Sequence, residues 1–241
     1  MEAEGAKGWD ASAEAWIARV DSGDPSREVL LDPVVLELCG DVDGLSVLDV
    51  GCGEGRFSRK LSERGAVVIG FDPCFPLARL ALDRQPVGRY LRASAEAIPL
   101  ATGQFDLVVC YLVLIDVPGF RAAIREMARV LRPSGKLVVA NIVSFRTACD
   151  TGWVRDESGR RLHVAVDGYY AERATHAEWC GISVTNYHRP AEAYFGAFLD
   201  AGLRLTAYRE PRPSADVLAA HAEFEPEARV PLFNVMAWIA S

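Results

Sequence analysis

No apolar run in the 241-residue chain approaches the ~18–20 residues that span a bilayer. Basic charge is not in excess either. There are 26 Lys and Arg against 33 Asp and Glu, a formal net charge of −7. That field repels a polyanion, so DNA and tRNA are disfavoured as direct partners unless a local basic groove exists. The six cysteines, at 39, 52, 74, 110, 149 and 180, include no CxxC or CxxxC pair. No metal site is therefore assigned, and the thiols are expected to be free, mostly buried and in a reducing compartment. The first residues, MEAEGAKGWD, are polar and acidic rather than a secretory leader. The expectation is a cytoplasmic monomer or homodimer with no membrane association. Internal repeats and low-complexity tracts are absent, and only four histidines occur.

What is present is a globular composition, 50% apolar and 24% charged, sufficient for a full core. Trp9, Ala13, Trp16, Ile17 and Val20 share one face of a predicted N-terminal helix. A second helix is predicted after Asp24-Pro25. Then the pattern alternates. Strands are predicted at Ser46–Val50, Ala66–Phe71, Arg89–Ala93, Phe105–Tyr111 and Leu137–Val143, with helices at Gly55–Arg64, Phe75–Arg84 and Gly119–Leu131. Apolar strands alternating with helices imply a parallel sheet covered on both faces. Residues 144–190 break the rhythm. They read as a hairpin, Trp153–Arg155 with Arg160–Val166, followed by a third strand, GISVTNYH. A helix at Ala191–Ala201 and a strand LRLTAYRE resume it, and VPLFNVMAWIA is expected as an antiparallel edge strand.

The stretch VLDVGCGEGR, residues 47–56, raises the question of function. A strand feeding a glycine-rich turn and a helix is the outline of a nucleotide site. Gly51 and Gly53 permit a sharp turn and a close ligand approach. The dinucleotide pattern G-x-G-x-x-G is not met, because Arg56 stands at its third glycine. Asp49 would repel a pyrophosphate but suits a cation. Asp72, ending the second strand, can accept both ribose hydroxyl protons, or merely cap a turn before Pro73. A ligand with a nucleoside, an ammonium group and no phosphate fits, which describes S-adenosylmethionine.

Four motifs now stand in order: VLDVGCGEG, VVIGFD, ASAEAIPL followed by FDLVVC, and AIREMARVLRPSGKLVVAN. Over about residues 45–143 the chain resembles the class I S-adenosylmethionine-dependent methyltransferases, in the broad type 11 subgroup that includes quinone-biosynthesis enzymes. The resemblance implies an α/β, Rossmann-like, doubly wound and mostly parallel seven-stranded sheet, with helices on both faces and a small β-rich cap inserted after strand 5. It implies that residues 1–45 cover the cofactor site, 46–143 form the S-adenosylmethionine-binding core, 144–190 a substrate cap and 191–241 the completion of the sheet. Asp49 would hold the methionine ammonium through water, Gly51 and Gly53 would lie under ribose and methionine, and Asp72 would take the ribose hydroxyls. Ser94, Ala95 and Glu96 would meet the adenine, and Tyr111 would sit near the methyl donor. Two departures stand out. Ser94 occupies a position often held by Asp. Pro133-Ser134-Gly135 replaces Pro-Gly-Gly, which is tolerable if only Gly135 needs positive φ.

Transfer from a sulfonium is an in-line displacement, so alignment is the main task and a base is optional. Asp116, where relatives often carry histidine, is a candidate base or cation-binding group, or else a capping aspartate. Residues 144–190 hold His163, His176 and His188. His188 is the first candidate base, with a structural histidine as the alternative. Trp9 and Trp16 are expected to close over the cofactor, and Tyr169, Tyr170 and Tyr187 to meet an aromatic or conjugated small-molecule substrate. The expected activity is methyl transfer to oxygen or nitrogen of such a metabolite. Rival readings are a protein or tRNA methyltransferase, a non-methylating member of the fold such as a cyclase, and a nicotinamide-dependent oxidoreductase.

Overall fold

The computed structural model describes residues 6–149 and 152–241. The chain opens with α1 (Ala6–Asp21), then a π-helical turn (Ser26–Leu31) running into α2 (Asp32–Cys39). The alternating core follows as β1 (Ser46–Val50), α3 (Arg56–Ser62), β2 (Val67–Asp72), α4 (Phe75–Arg84), β3 (Arg89–Arg92), β4 (Phe105–Tyr111), α5 (Phe120–Val130) and β5 (Leu131–Ile142). Short α6 (Ser144–Thr147) leads to β6 (Trp153–Arg155), β7 (Arg161–Val164), β8 (Arg173–Trp179) and β9 (Ile182–His188). The chain closes with α7 (Ala191–Asp200), β10 (Leu203–Arg209), α8 (Ala215–Ala220), α9 (Glu225–Arg229) and β11 (Phe233–Ala240).

Seven strands form one sheet in the order β10-β11-β5-β4-β1-β2-β3. β1 to β5 are mutually parallel, and β11 is antiparallel to both neighbours. The continuous apolar runs follow from burial on both faces. In β4, Val108 and Cys110 face the cluster built with α5 and α7, while Leu107, Val109 and Tyr111 face the cluster built with α2 and α3. α5 buries Phe120, Ala123, Ile124, Met127 and Val130, the stripe its periodicity predicts. The six cysteines are free, four of them buried. No helix among the described residues is long and apolar enough to cross a membrane.

Three details differ from the sequence expectation. β11 is an interior strand, hydrogen-bonded to both β5 and β10, with Phe233–Trp238 all buried; β10 is the edge. A strand apolar at every position but Asn234 is most stable between two others. Residues 153–188 form two separate hairpins, β6-β7 and β8-β9, instead of one hairpin and a third strand. β8 reads RATHAEW, too weakly apolar to register as a strand, and pairs because β9 supplies its partner edge. Finally, Ser134 and not Gly135 has positive φ, at 63°. Gly135 is required for space: a Cβ there would lie 2.8 Å from the Arg132 carbonyl oxygen and 3.1 Å from that of Phe105. Ser134→Gly should therefore raise stability by ~1 kcal/mol by removing left-handed strain. In a chain of this size that is a rise of roughly 2–4 °C in Tm. An unchanged or lower Tm would refute the strain.

Candidate active site

The order β3-β2-β1-β4-β5 reverses direction between β1 and β4, and the cleft opens there, at the carboxyl ends of the strands. Its floor is the loop Gly51–Glu54. Gly51 has φ of 65°, and a Cβ on it would lie 2.4 Å from Val113 in the turn after β4. The glycine thus lets the β1 and β4 turns meet beneath the cleft. Leu112, beside Val113, also holds a positive φ of 60°. A non-glycine residue in that conformation carries strain, here on the cleft wall.

Asp72 ends β2 at the cleft. Its carboxylate accepts the backbone N–H groups of Gly53 at 2.9 Å and Cys74 at 2.8 Å. Burial pushes its pKa up to about 6 against those two bonds. Ser94, Ala95 and Glu96 line the adjoining wall. Glu96 Oε1 accepts the Gly119 N–H at 2.6 Å and Oε2 accepts the Ser94 hydroxyl at 3.2 Å, so both oxygens brace the loop. Asp49 is buried below the floor rather than lining the cleft, and Ser58 Oγ donates to it at 2.6 Å. Burial raises its pKa to about 7.

Tyr111 lines the cleft with its hydroxyl donating to Asp32 at 2.8 Å. Asp32 also receives Arg56 through two guanidinium nitrogens, at 2.6 and 3.0 Å. This accounts for the arginine in the glycine motif: it faces α2 and clamps the N-terminal segment to the core. Trp9 and Trp16 of α1 close one side, ring centroids 5.4 Å apart and edge-on. α1 itself is docked on β9, where Ser12 Oγ donates to the Ser183 carbonyl at 3.1 Å and accepts its N–H at 3.0 Å.

Asp116 lines the cleft from the β4–α5 turn and accepts a hydrogen bond from Asn186 of β9. Burial pushes its pKa up to about 7, opposed by hydrogen bonds from Trp9 and Asn186 and by the charge of Arg27, while nearby Asp72 raises it further. The turn is held from the cap side. The Tyr187 N–H donates to the Ile115 carbonyl at 2.8 Å. The buried Arg189 donates to the carbonyls of Leu114 at 2.7 Å, Val117 at 2.5 Å and Pro118 at 3.1 Å. Its guanidinium lies 4.2 Å from the Phe120 ring centroid and 4.8 Å from that of Tyr187.

His188 is not brought to the cleft. It is fully buried, with Nδ1 2.7 Å from the Thr147 hydroxyl and Nε2 2.8 Å from the Tyr169 carbonyl. A carbonyl only accepts, so Nε2 holds its proton there and the ring ties α6 to the cap. The three tyrosines also stand outside the cleft lining. Tyr169 accepts the Ala191 N–H at 3.0 Å, Tyr187 packs under Arg189, and Tyr170 is 83% exposed.

Sequence reasoning missed Arg27 and Glu54. Arg27 lines the cleft, lies 4.4 Å over the Trp16 ring and pairs with Asp24 at 3.4 Å. No spacing links it to the glycine loop, so only tertiary structure could reveal it. Glu54 was visible inside GCGEG; it is buried and pairs with Arg59 at 3.5 Å.

Such a cleft, with a carboxylate at the end of β2, sits at the switch point of a Rossmann-like sheet. Residues 48–139 match the family described as "Methyltransferase domain". The seven-stranded, mostly parallel sheet is the fold of the solved S-adenosylmethionine dependent methyltransferases to which the chain is similar. The chain is similar to an S-adenosylmethionine dependent methyltransferase structure from Mesorhizobium loti, with TM-score 0.81 and 26% identity over 90% of this chain and 99% of that one. It is 42% identical over 104 residues to a malonyl-[acyl-carrier protein] O-methyltransferase of Salmonella typhimurium, covering 43% of this chain and 39% of the relative. It is 38% identical over 113 residues to a ubiquinone/menaquinone biosynthesis C-methyltransferase of Shewanella sp. (strain ANA-3), covering 43% and 45%. In both cases the match spans less than half the relative's length.

Proposed function

We propose that the chain transfers a methyl group from S-adenosylmethionine to an oxygen or nitrogen of a small aromatic or conjugated molecule. The observation that carries this is the charge pattern of the cleft. Asp72, Glu54, Glu96 and Asp116 line it with a single arginine, Arg27. Phosphates would be repelled there, whereas a ligand combining a ribose, a cationic sulfonium end and one carboxylate is matched. Asp72 takes the ribose hydroxyls, Ser94 and Ala95 meet the adenine, and Arg27 receives the amino-acid carboxylate. Asp49, set below the floor, contributes its charge and reaches the ammonium through water. In domain terms, 46–143 bind the cofactor, α1 and Arg27 close over it, and the segment 144–190 braces the Asp116 turn from behind through Asn186 instead of lining the cleft.

S-adenosylmethionine supplies an already activated methyl group, so the protein's main work is alignment. Proximity and orientation contribute ~7–11 kcal/mol to such displacements. The Trp9 and Trp16 wall holds a flat acceptor and excludes water. Asp116, rather than His188, accepts the acceptor's proton, a role worth ~10²–10⁴-fold where deprotonation is required. The direct test is methyl-labelled S-adenosylmethionine with size-fractionated extract. Label in the low-mass fraction supports the reading. Label found only in protein or RNA overturns the substrate class.

The raised acids give a pH signature with a definite sign. Asp72 titrates at about 6, and Asp49 and Asp116 at about 7, against a normal carboxylate value near ~4. Between those limits the folded chain binds more protons than the unfolded one, so these groups lower stability as pH rises from ~4 to ~7. A cationic ligand favours their ionised forms. S-adenosylmethionine binding should therefore release protons and tighten as pH rises from ~5.5 to ~8, and Asp116→Asn should flatten that slope. Calorimetry in two buffers of different ionisation enthalpy measures it; a flat profile in the parent protein would contradict the assignment.

A further inference from the structure

Away from the cleft, a second groove lies between the β6-β7 hairpin and α9, lined by Arg155, Arg160, Arg161 and Arg229 with Glu225. Four guanidinium groups gathered in a chain of net charge −7 do not follow from composition. They repel one another, so the fold must hold them together. Arg229 donates to the carbonyls of Arg161 at 3.0 Å and Leu162 at 2.8 Å, and Arg155 donates to that of Gly159 at 2.8 Å. The Trp153 ring takes Arg229 at 4.8 Å and Arg146 at 5.8 Å.

The neutralisation is incomplete. Arg160 pairs with Asp156 at 3.1 Å and Arg229 with Glu225 at 3.5 Å. Among the described residues, Arg155 and Arg161 have no carboxylate within the 4.0 Å of an ion pair. The Nε of Arg161 is buried without a hydrogen-bond partner among the described residues. Buried donors left unmade are destabilising, and an acceptor oxygen supplied by a ligand removes that penalty.

We infer that this groove binds the phosphate group of a small molecule. Guanidinium forks match phosphate oxygens in pairs. Arginines carried on β6, on β7 with its preceding residue, and on α9 present donors from three segments. That suits a tetrahedral set of oxygens better than a flat carboxylate. The inference stands apart from the methyl-transfer reading, since it concerns a different groove and a different charge.

The test is calorimetric titration of the full chain with inorganic pyrophosphate at low ionic strength, repeated with S-adenosylhomocysteine at saturation. Saturable one-to-one binding is expected in both. Arg161→Gln and Arg155→Gln should each weaken it about tenfold, the loss expected for one charge-assisted pair. Arg79→Gln, an exposed arginine paired with Asp83 on α4, should leave it unchanged. Arg155 is exposed on the hairpin, so its variant keeps the test decisive if Arg161→Gln does not fold. No saturable binding, equal weakening by Arg79→Gln, or displacement by S-adenosylhomocysteine would overturn the site. Tighter binding of citrate than of pyrophosphate would overturn the phosphate class.

Discussion

Asp72→Ala is expected to weaken S-adenosylmethionine binding about a hundredfold or more, and Asp72→Asn about tenfold. Hydrogen bonds to a charged partner contribute about 1.5–3 kcal/mol each, and the proposed role uses two, one to each ribose hydroxyl. Asparagine keeps one carbonyl acceptor and loses the charge. The same carboxylate also receives the Gly53 and Cys74 N–H groups, so alanine leaves one donor of the glycine loop and one at the start of α4 unpaired. Each costs about 1–3 kcal/mol when buried. Relief of the carboxylate's own burial offsets part of that, and the variant should remain folded. Calorimetry at pH 7.5 keeps the parent Asp72 mostly ionised, since it titrates at about 6. An unchanged Kd in folded Asp72→Ala would remove the cofactor assignment. The asparagine variant keeps an acceptor for one of the two backbone N–H groups, so it should disturb the backbone less than alanine does.

Arg189→Met should have the largest effect on the turn that carries Asp116. The buried guanidinium serves the carbonyls of Leu114, Val117 and Pro118, and methionine leaves them without their donor. Three lost bonds are partly offset because a buried charge with no paired carboxylate among the described residues is costly to keep. A net loss of ~3 kcal/mol follows, or roughly 6–12 °C in Tm for a chain of this length. Amide exchange should accelerate at 115–117 well before the centre of the sheet, because the loss is local. Uniform acceleration across β1 and β4, or a Tm within ~1 °C of the parent, would contradict this role. Arg189→Lys keeps the charge without the fork and should fall between the two.

Much of this architecture was legible in the sequence because its signals are local. Strand–glycine–helix punctuation marked β1 and α3, and the apolar runs marked β2, β4 and β5. The α5 stripe and the face of α1 bearing Trp9 and Trp16 followed from helical periodicity. Of the named site residues, Gly51, Gly53, Asp72, Ser94, Ala95, Glu96, Tyr111, Asp116, Trp9 and Trp16 all line one cleft. They sit at strand ends or on one helical face, positions that a parallel sheet brings together.

What the sequence determined by itself, then, was the class of sheet and which strand-end residues meet in the cleft, since both depend on residue types at short, fixed spacing. Tertiary structure decided everything that depends on contacts between distant segments. β11 is interior because β10 and β5 both pair with it, and β8 exists because β9 offers an edge. His188 is a tie between α6 and the cap because Thr147 and the Tyr169 carbonyl occupy its nitrogens, while Asp116 faces the cleft with Asn186 behind it. Arg27 reaches that cleft across the core, and Arg189 shapes the turn from more than 70 residues away. Burial and hydrogen-bond partners set the chemistry of these side chains, and neither quantity exists until the chain has folded.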